Sequence, residues 1–182
     1  MAENELPVVI RIATSDDATS IAAVLLQSFI DYKTVYTAGG FEATTPDSEE
    51  IRRRMTEGPT WVALRDNVIV GTVSVVPSGE RLYIRSMAVI PSARGQNIGV
   101  KLLRHIEDFA FANNYKHLFL STTPFLSRAI KLYQQMGFVF SDEPVEDLQG
   151  TAVKNGERVG LSSKLRTGAK RPIAINEEHN AP

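Results

Sequence analysis

Met87-Ala88-Val89-Ile90-Pro91-Ser92-Ala93-Arg94-Gly95-Gln96-Asn97-Ile98-Gly99 is the stretch in which the chain changes character: an apolar strand end, a proline, a polar glycine-bearing turn, then the start of a helix. Pro91 has no amide hydrogen to give to a ladder and so closes the strand. The first amides of the helix have no intrahelical acceptors and carry the positive end of its dipole, while small Gly95 and Gly99 let a ligand's oxygens come close to the backbone. The turn is therefore expected to hold an anion such as a pyrophosphate. Neither GxxxxGK[ST] nor GxGxxG is present, which argues against a P-loop nucleotidase or a Rossmann dinucleotide enzyme.

Beyond this turn, Ile98, Leu102, Leu103, Ile106, Phe109 and Ala110 form a helical stripe up to Asn113-Asn114, and a short strand follows over Lys116 to Ser121. Leu82 to Ser121 thus reads as strand, loop, helix, strand. Thr123-Pro124 fits a helix cap with Pro at the first position, Ala129, Ile130, Tyr133 and Met136 supply a face, and Gly137 fits a left-handed stop before a strand at Phe138 to Phe140. Val159 to Leu165 is expected to be the last strand.

Upstream, Leu82 to Ile90 is a strand. It is preceded by an antiparallel pair, Pro59 to Leu64 and Val68 to Val76, joined at Asp66-Asn67, two residues that tolerate turn geometry. Val8 to Ala13 is a β-branched strand. Thr14 or Ser15 then caps a helix with Ile21, Val24, Leu25, Ser28 and Phe29 on its buried stripe, running to about Tyr32. Tyr36 to Pro46, with Gly39 and Gly40, predicts an irregular aromatic loop ahead of a short helix near Asp47 to Thr56. The fold class is α/β or α+β: a mixed, mostly antiparallel sheet with helices on both faces in one domain, 8–166. A tail is expected at 1–7, and the polar segment 167–182 has too little apolar content to repay ordering.

Composition bounds the chemistry. At 182 residues the chain has room for one core. It has no cysteine, which removes thiolate metal sites, disulfides and sulfur nucleophiles and fits a reducing compartment. Twenty Lys+Arg against twenty-one Asp+Glu give a net charge of -1, too little for a broad field that would hold nucleic acid or an anionic membrane. No basic leader precedes an apolar run, and no run nears the roughly 20 residues of a membrane span, so a cytoplasmic protein is expected. His105, His117 and His179 lack a metal-ligand spacing, so no metal is expected. Arg52-Arg53-Arg54 is bracketed by Glu49, Glu50 and Glu57, and reads as a solvated, ion-paired helical face rather than a nucleic-acid patch. No G-x-S-x-G elbow supports a serine hydrolase.

Val89-Ile90-Pro91 followed by RGQNIG, Arg94 to Gly99, resembles the loop signature of the GNAT superfamily of acetyl-CoA-dependent N-acyltransferases. LSTTPFLSRAIKLYQQMGF, Leu120 to Phe138, looks like the same family's strand, helix and "LY..GF" block. The resemblance implies that backbone groups of the Met87-Ala88-Val89 strand bind the pantetheine arm of acetyl-CoA. It implies too that the amides of Arg94, Gly95, Gln96, Asn97, Ile98 and Gly99 cradle its diphosphate, and that Tyr133 protonates the departing thiolate. A phenol of pKa near 10 suits donation at neutral pH; the alternative for Tyr133 is a core aromatic beside Ile130 and Met136. Two positions depart from the family: Asn97 stands where a glycine is usual, and Leu126 where many relatives carry an asparagine that touches the cofactor arm.

No carboxylate stands out as a base, since Arg85 and Ser86 occupy positions where relatives often carry acidic residues. Glu80 and Glu42 are the candidates, each otherwise a solvated charge. Phe29, Tyr32, Tyr36, Phe41, Tyr83 and Arg85 are expected to line the acceptor side. The implied reaction is direct acetyl transfer to a primary amine of a small molecule or peptide; the alternative is a non-catalytic acyl-CoA-binding or regulatory module. Neither nucleic acid nor membrane is expected as a partner, and a homodimer is left open.

Overall fold

A computed structural model describes residues 7–161. The expected tail at 167–182, the tail up to Leu6, His179 and the end of the proposed last strand, 162–165, lie outside the described residues. The element order is β1 (Val9–Ile12), α1 (Ala18–Phe29), α2 (Ala38–Thr44), α3 (Ser48–Met55), β2 (Thr60–Arg65), β3 (Val68–Ser78), β4 (Arg81–Val89), α4 (Ile98–Ala112), β5 (His117–Thr122), α5 (Ser127–Gln135), β6 (Val139–Phe140), β7 (Val145–Leu148) and β8 (Thr151–Val159). The strands form one sheet in the order β1-β2-β3-β4-β5-β8-β6, with β7 paired to β8. Every pairing is antiparallel except β4 with β5, whose ends are joined through α4.

Alternation along the strands feeds two cores, one on each face. Trp61 and Ala63 of β2 join Val73, Val75, Leu82, Ile84, Leu118 and Leu120 under α4, whose Ile98, Leu102, Leu103 and Ile106 are almost fully buried. Val62 points the other way, with Ile21, Val24 and Leu25 of α1 and Ile51 of α3. At about 25 cal/mol per Å² of apolar area removed from water, each buried Leu or Ile of these stripes contributes roughly 2 kcal/mol. The helices on both faces are held mainly by this term.

Asp66 and Asn67 both take positive φ, 52° and 62°, as a tight two-residue hairpin turn demands. Asp17 closes the entry to α1: its carboxylate accepts two bonds from Arg11, at 2.7 and 2.9 Å, and one from the Thr14 amide at 2.8 Å. Chiefly because of the Arg11 bonds, its pKa is lowered to about 2. A lowered folded-state pKa stabilises above the ordinary carboxylate range, and that stabilisation drains away as pH falls toward about 2. In urea unfolding, Asp17→Asn is therefore expected to cost about 1–3 kcal/mol near pH 7, and the gap from the parent should close at about pH 2. A gap independent of pH would contradict the assignment.

Four expectations need correction. The segment after Tyr36 is helical, not an irregular loop: Thr37 caps α2 by accepting the Gly40 amide at 3.0 Å. Gly39 and Gly40 serve close approach rather than a turn, since a Cβ on Gly40 would stand 2.2 Å from Thr151 Oγ1. The last described strand is β8, ending at Val159, and its hairpin partner β7 lies in a polar stretch without an apolar pattern. α1 stops at Phe29 and tightens into a 3-10 turn over Ile30–Val35. α5 begins after Leu126, while Thr123 accepts the Leu126 amide at 3.1 Å in the turn before it. Gly137 does close α5 with φ 87°.

Candidate active site

The site begins with an interrupted ladder. β4 pairs with β5 only from Arg81↔His117 to Ile84↔Leu120, although both strands run on. Between Thr72↔Ala88 and Ser74↔Arg85, β4 places two residues, Ser86 and Met87, opposite the single Val73 of β3. Such a bulge bends and twists its strand. Ser86 sits at φ 53°, a left-handed conformation costing a non-glycine residue roughly 1–2 kcal/mol. The two strands part beyond this point, and a cavity of about 770 Å³ opens between Ser86 to Val89 on one side and Leu120 to Thr123 on the other.

Backbone direction along the open edge can be read from two bonds. The Ile90 amide turns to β3, donating to Val70 O at 3.0 Å, whereas Val89 O turns away from β3 and accepts Arg94 Nε at 3.2 Å. Amide and carbonyl of one strand residue point the same way, so the Val89 N–H also faces away from β3, toward the open side. Met87, Ala88 and Val89 all line the cavity.

The turn beyond β4 is fixed by side chains as well as backbone. Arg94 gives Nη2 to Ser28 O of α1 at 3.0 Å, and its amide closes a 3-10 turn on Pro91 O at 3.3 Å. Its amide is consequently spent, unlike the expectation for a run of free amides from Arg94 onward. Gln96 likewise turns away from the cavity, accepting Arg65 Nη1 at 2.8 Å, and ties the loop to the end of β2. Gly95 at φ 83° and Asn97 at φ 56° both occupy left-handed geometry, so Asn97 adopts the backbone form that a glycine would take there. The first helical bond of α4 runs from the Lys101 amide to Asn97 O, and the amides of Ile98, Gly99 and Val100 precede it at the positive end of the dipole. Gly95, Asn97, Ile98 and Gly99 line the cavity. A Cβ on Gly99 would stand 2.9 Å from Leu132 Cδ2, so α5 packs closely against the start of α4 at this cavity-lining glycine.

Tyr133 of α5 reaches the same cavity and is 7% exposed. Its ring packs edge-on to Phe138 at 5.7 Å. Burial, with a smaller contribution from neighbouring Tyr83, raises its pKa above the ordinary phenol value. It is thus both a packed aromatic and a cavity group. Leu126 also lines the wall, an apolar residue beside Thr122 and Thr123.

On the remaining side stand Phe29, Tyr32, Tyr36, Tyr83 and Arg85; Phe41 stands behind, its ring 6.1 Å from that of Tyr36. Phe125, unremarked in the sequence, braces this wall by stacking on Tyr32 at 5.9 Å and meeting Tyr36 edge-on at 4.8 Å. The arginine run is not a merely solvated face. Arg53 and Arg54 line the cavity while pairing with Glu50 at 2.6 and 2.7 Å, and Arg53 also pairs with Glu57 at 2.7 Å. Arg85 reaches across from β4 to Glu57 at 2.6 Å and to Arg54 O at 3.3 Å.

Glu42 and Glu80 do not line the cavity: Glu42 is exposed on α2, and Glu80 pairs with Lys116 at the far end of β4. The carboxylate that does line it is Asp147 of β7. Three bonds at Thr37 hold the β7–β8 hairpin against α2: its hydroxyl donates to Gln149 O at 2.7 Å and meets the Thr151 hydroxyl at 2.9 Å, and its amide donates to Thr151 Oγ1 at 3.0 Å. Asp147 and Tyr83 also share the wall of a second, more open hollow, which places Asp147 toward the Tyr83 end of the cavity. Sequence offered no periodic signal for this residue.

His105 packs its ring 5.3 Å from Trp61, and burial lowers its pKa; His117 lies 3.2 Å from Glu157. Among the described residues no group of three or more His, Asp or Glu is placed to hold a metal ion, and no helix is long and apolar enough to cross a membrane.

The sequence model of the acetyltransferase (GNAT) family matches residues 25–138. A streptothricin acetyltransferase of Streptomyces lavendulae is 38% identical over 106 residues, 57% of this chain and 56% of the relative, so the chain spans little more than half of that protein. An uncharacterized N-acetyltransferase of Escherichia coli (strain K12), YjgM, is 26% identical over 140 residues, 74% of this chain and 83% of the relative. Among solved structures, a GNAT-family acetyltransferase from Staphylococcus aureus Mu50 superposes with a TM-score of 0.70 at 16% identity, covering 86% of this chain and all of the other. The PaiA N-acetyltransferase from Thermoplasma acidophilum, solved in complex with coenzyme A, gives 0.67 at 17% identity over 82% and 98% of the two chains. These two likenesses establish the shared fold.

Proposed function

Because the chain belongs to the acetyltransferase (GNAT) family, we propose that it moves an acetyl group from acetyl-CoA to a primary amine by direct transfer, with no acyl-enzyme. The observation that carries this reading is one cavity that holds the parted β4 edge, the amide-rich start of α4 and Tyr133 together. In it the amides of Gly95 to Val100 receive the diphosphate, and the Met87 to Val89 edge receives the amide-bearing arm as an added strand would be received. Arg94 positions the loop rather than binding through its own amide.

The chemistry falls to few groups. The Val89 N–H faces the open side and supports the thioester oxygen as negative charge develops on it. Tyr133, kept protonated by burial, offers its hydroxyl to the sulfur as the carbon–sulfur bond breaks. The adduct's nitrogen sheds one proton to water as the carbon–sulfur bond breaks, and because a free thiol has a pKa near 8.5, below that of a phenol, sulfur departs as a thiolate hydrogen-bonded by the Tyr133 hydroxyl. Asp147 attracts the acceptor's ammonium into the chamber, and the amine attacks after losing its proton to water, since a carboxylate is too weak a base to strip an amine of pKa around 10 in one step.

Calorimetry with coenzyme A and thiol-release assays across a panel of primary amines test the proposal. Expected are coenzyme A binding and amine-dependent thiol release above the hydrolytic background. Binding without release for any amine would leave a non-catalytic acyl-CoA module, and absence of binding would remove the reading altogether.

A further inference from the structure

The acceptor side of the cavity holds more opposite charge than it pairs. Arg53, Arg54 and Arg85 share two carboxylates, Glu50 and Glu57, which leaves one positive charge over. Arg85 is the partner least satisfied. It spends Nη1 on Glu57 and Nη2 on Arg54 O, and its buried Nε has no hydrogen-bond partner among the described residues. A buried donor left unpaired costs roughly 1–3 kcal/mol; Nε itself is closed to solvent, but the Arg85 side chain is 20% exposed and lines the cavity, where its charge meets an incoming ligand. In the same chamber Asp147 forms no ion pair with any of the three arginines.

From this we infer that the acceptor is an amino-acid-type molecule, a primary amine that carries a carboxylate, with Arg85 holding the carboxylate and Asp147 facing the ammonium. The inference rests on the acetyl transfer proposed above and names its substrate class. A simple alkylamine would leave the surplus cation unmet; a dicationic amine would meet it with repulsion. Carboxylate matches guanidinium in charge and planar geometry. The bond from Arg85 to Arg54 O ties the end of α3 to β4, so the anchor is held between two regular elements.

The test compares amino acids with their decarboxylated amines and their carboxamides, as kcat/KM at saturating acetyl-CoA. At least a tenfold preference for the carboxylate is expected, carried in KM. Arg85→Gln should cut that ratio about tenfold or more, and Arg85→Lys should retain part of it. Glu57→Gln, which removes a competing carboxylate and frees Arg85 Nη1, should keep or raise the ratio, and it tests the idea even where Arg85 variants fold poorly. Acetyl-CoA affinity, measured alongside by calorimetry, shows whether each variant keeps its fold. Equal or better turnover of decarboxylated amines by the parent protein would overturn the substrate class while leaving acetyl transfer intact. Failure to bind acetyl-CoA, or turnover of no amine at all, would overturn both.

Discussion

Replacing Tyr133 by Phe is expected to lower kcat by about 10²–10³, the usual range for removing a hydrogen-bond donor from developing negative charge, while the Kd for acetyl-CoA changes little. The ring packs on Phe138 and is almost fully enclosed, and Phe keeps that ring, so the variant removes a hydroxyl and not a wall. The pH dependence separates this role from plain packing. A raised pKa means that the neutral phenol persists to higher pH than in a free tyrosine, so kcat/KM should climb as the acceptor amine deprotonates and should show no descending limb from Tyr133 below about pH 10. Stopped-flow or steady-state thiol release over pH 6 to 10 gives the profile. Unchanged kcat in the Phe variant would show that sulfur leaves without help from this residue. A descending limb near pH 8 that the variant abolishes would show that the phenol titrates far lower than its burial dictates.

What could be read from the sequence, and what could not, divides along a physical line. The stripe Ile98, Leu102, Leu103, Ile106 and Ala110 is local and periodic, and it is the buried face of α4. The Asp66-Asn67 turn is likewise local chemistry. The β7–β8 hairpin was illegible because Glu157, Arg158 and Lys154 break any alternation; β8 is a strand through its ladder to β5, from His117↔Val159 to Thr122↔Lys154, a non-local cause. Asp147 was missed with it. Gly39 and Gly40 read as a turn because glycine's commonest use is conformational, whereas here the missing side chains make room for Gln149 and Thr151. The bulge at Ser86 left no mark in composition, since serine is an unremarkable residue for a strand and an unusual one at φ 53°. Arg94 and Gln96 were legible as loop residues, but that their side chains are spent on Ser28, Val89 and Arg65 required the packed structure.

Gly95→Val is expected to weaken coenzyme A binding by about tenfold to a hundredfold while leaving the affinity for pantetheine, which lacks the diphosphate, nearly unchanged. Gly95 lies at φ 83°, and a Cβ there would meet no atom within 4 Å, so the penalty of a side chain is conformational and not a clash. A β-branched residue is a genuine outlier at positive φ, and relief by rotation to negative φ would turn the following peptide. That rotation redirects the amides around Gly95 and Gln96 away from the point on which Ile98, Gly99 and Val100 converge. A loss of 1.4 kcal/mol is tenfold in Kd, and roughly 1–3 kcal/mol of backbone strain spans the predicted range. The contrast between the two ligands matters more than either value. Equal losses for coenzyme A and pantetheine would mean that the variant has disturbed the β4 edge as well. No loss for either would mean that the diphosphate is held somewhere other than the start of α4, and the assignment of this turn as the phosphate cradle would fall with it.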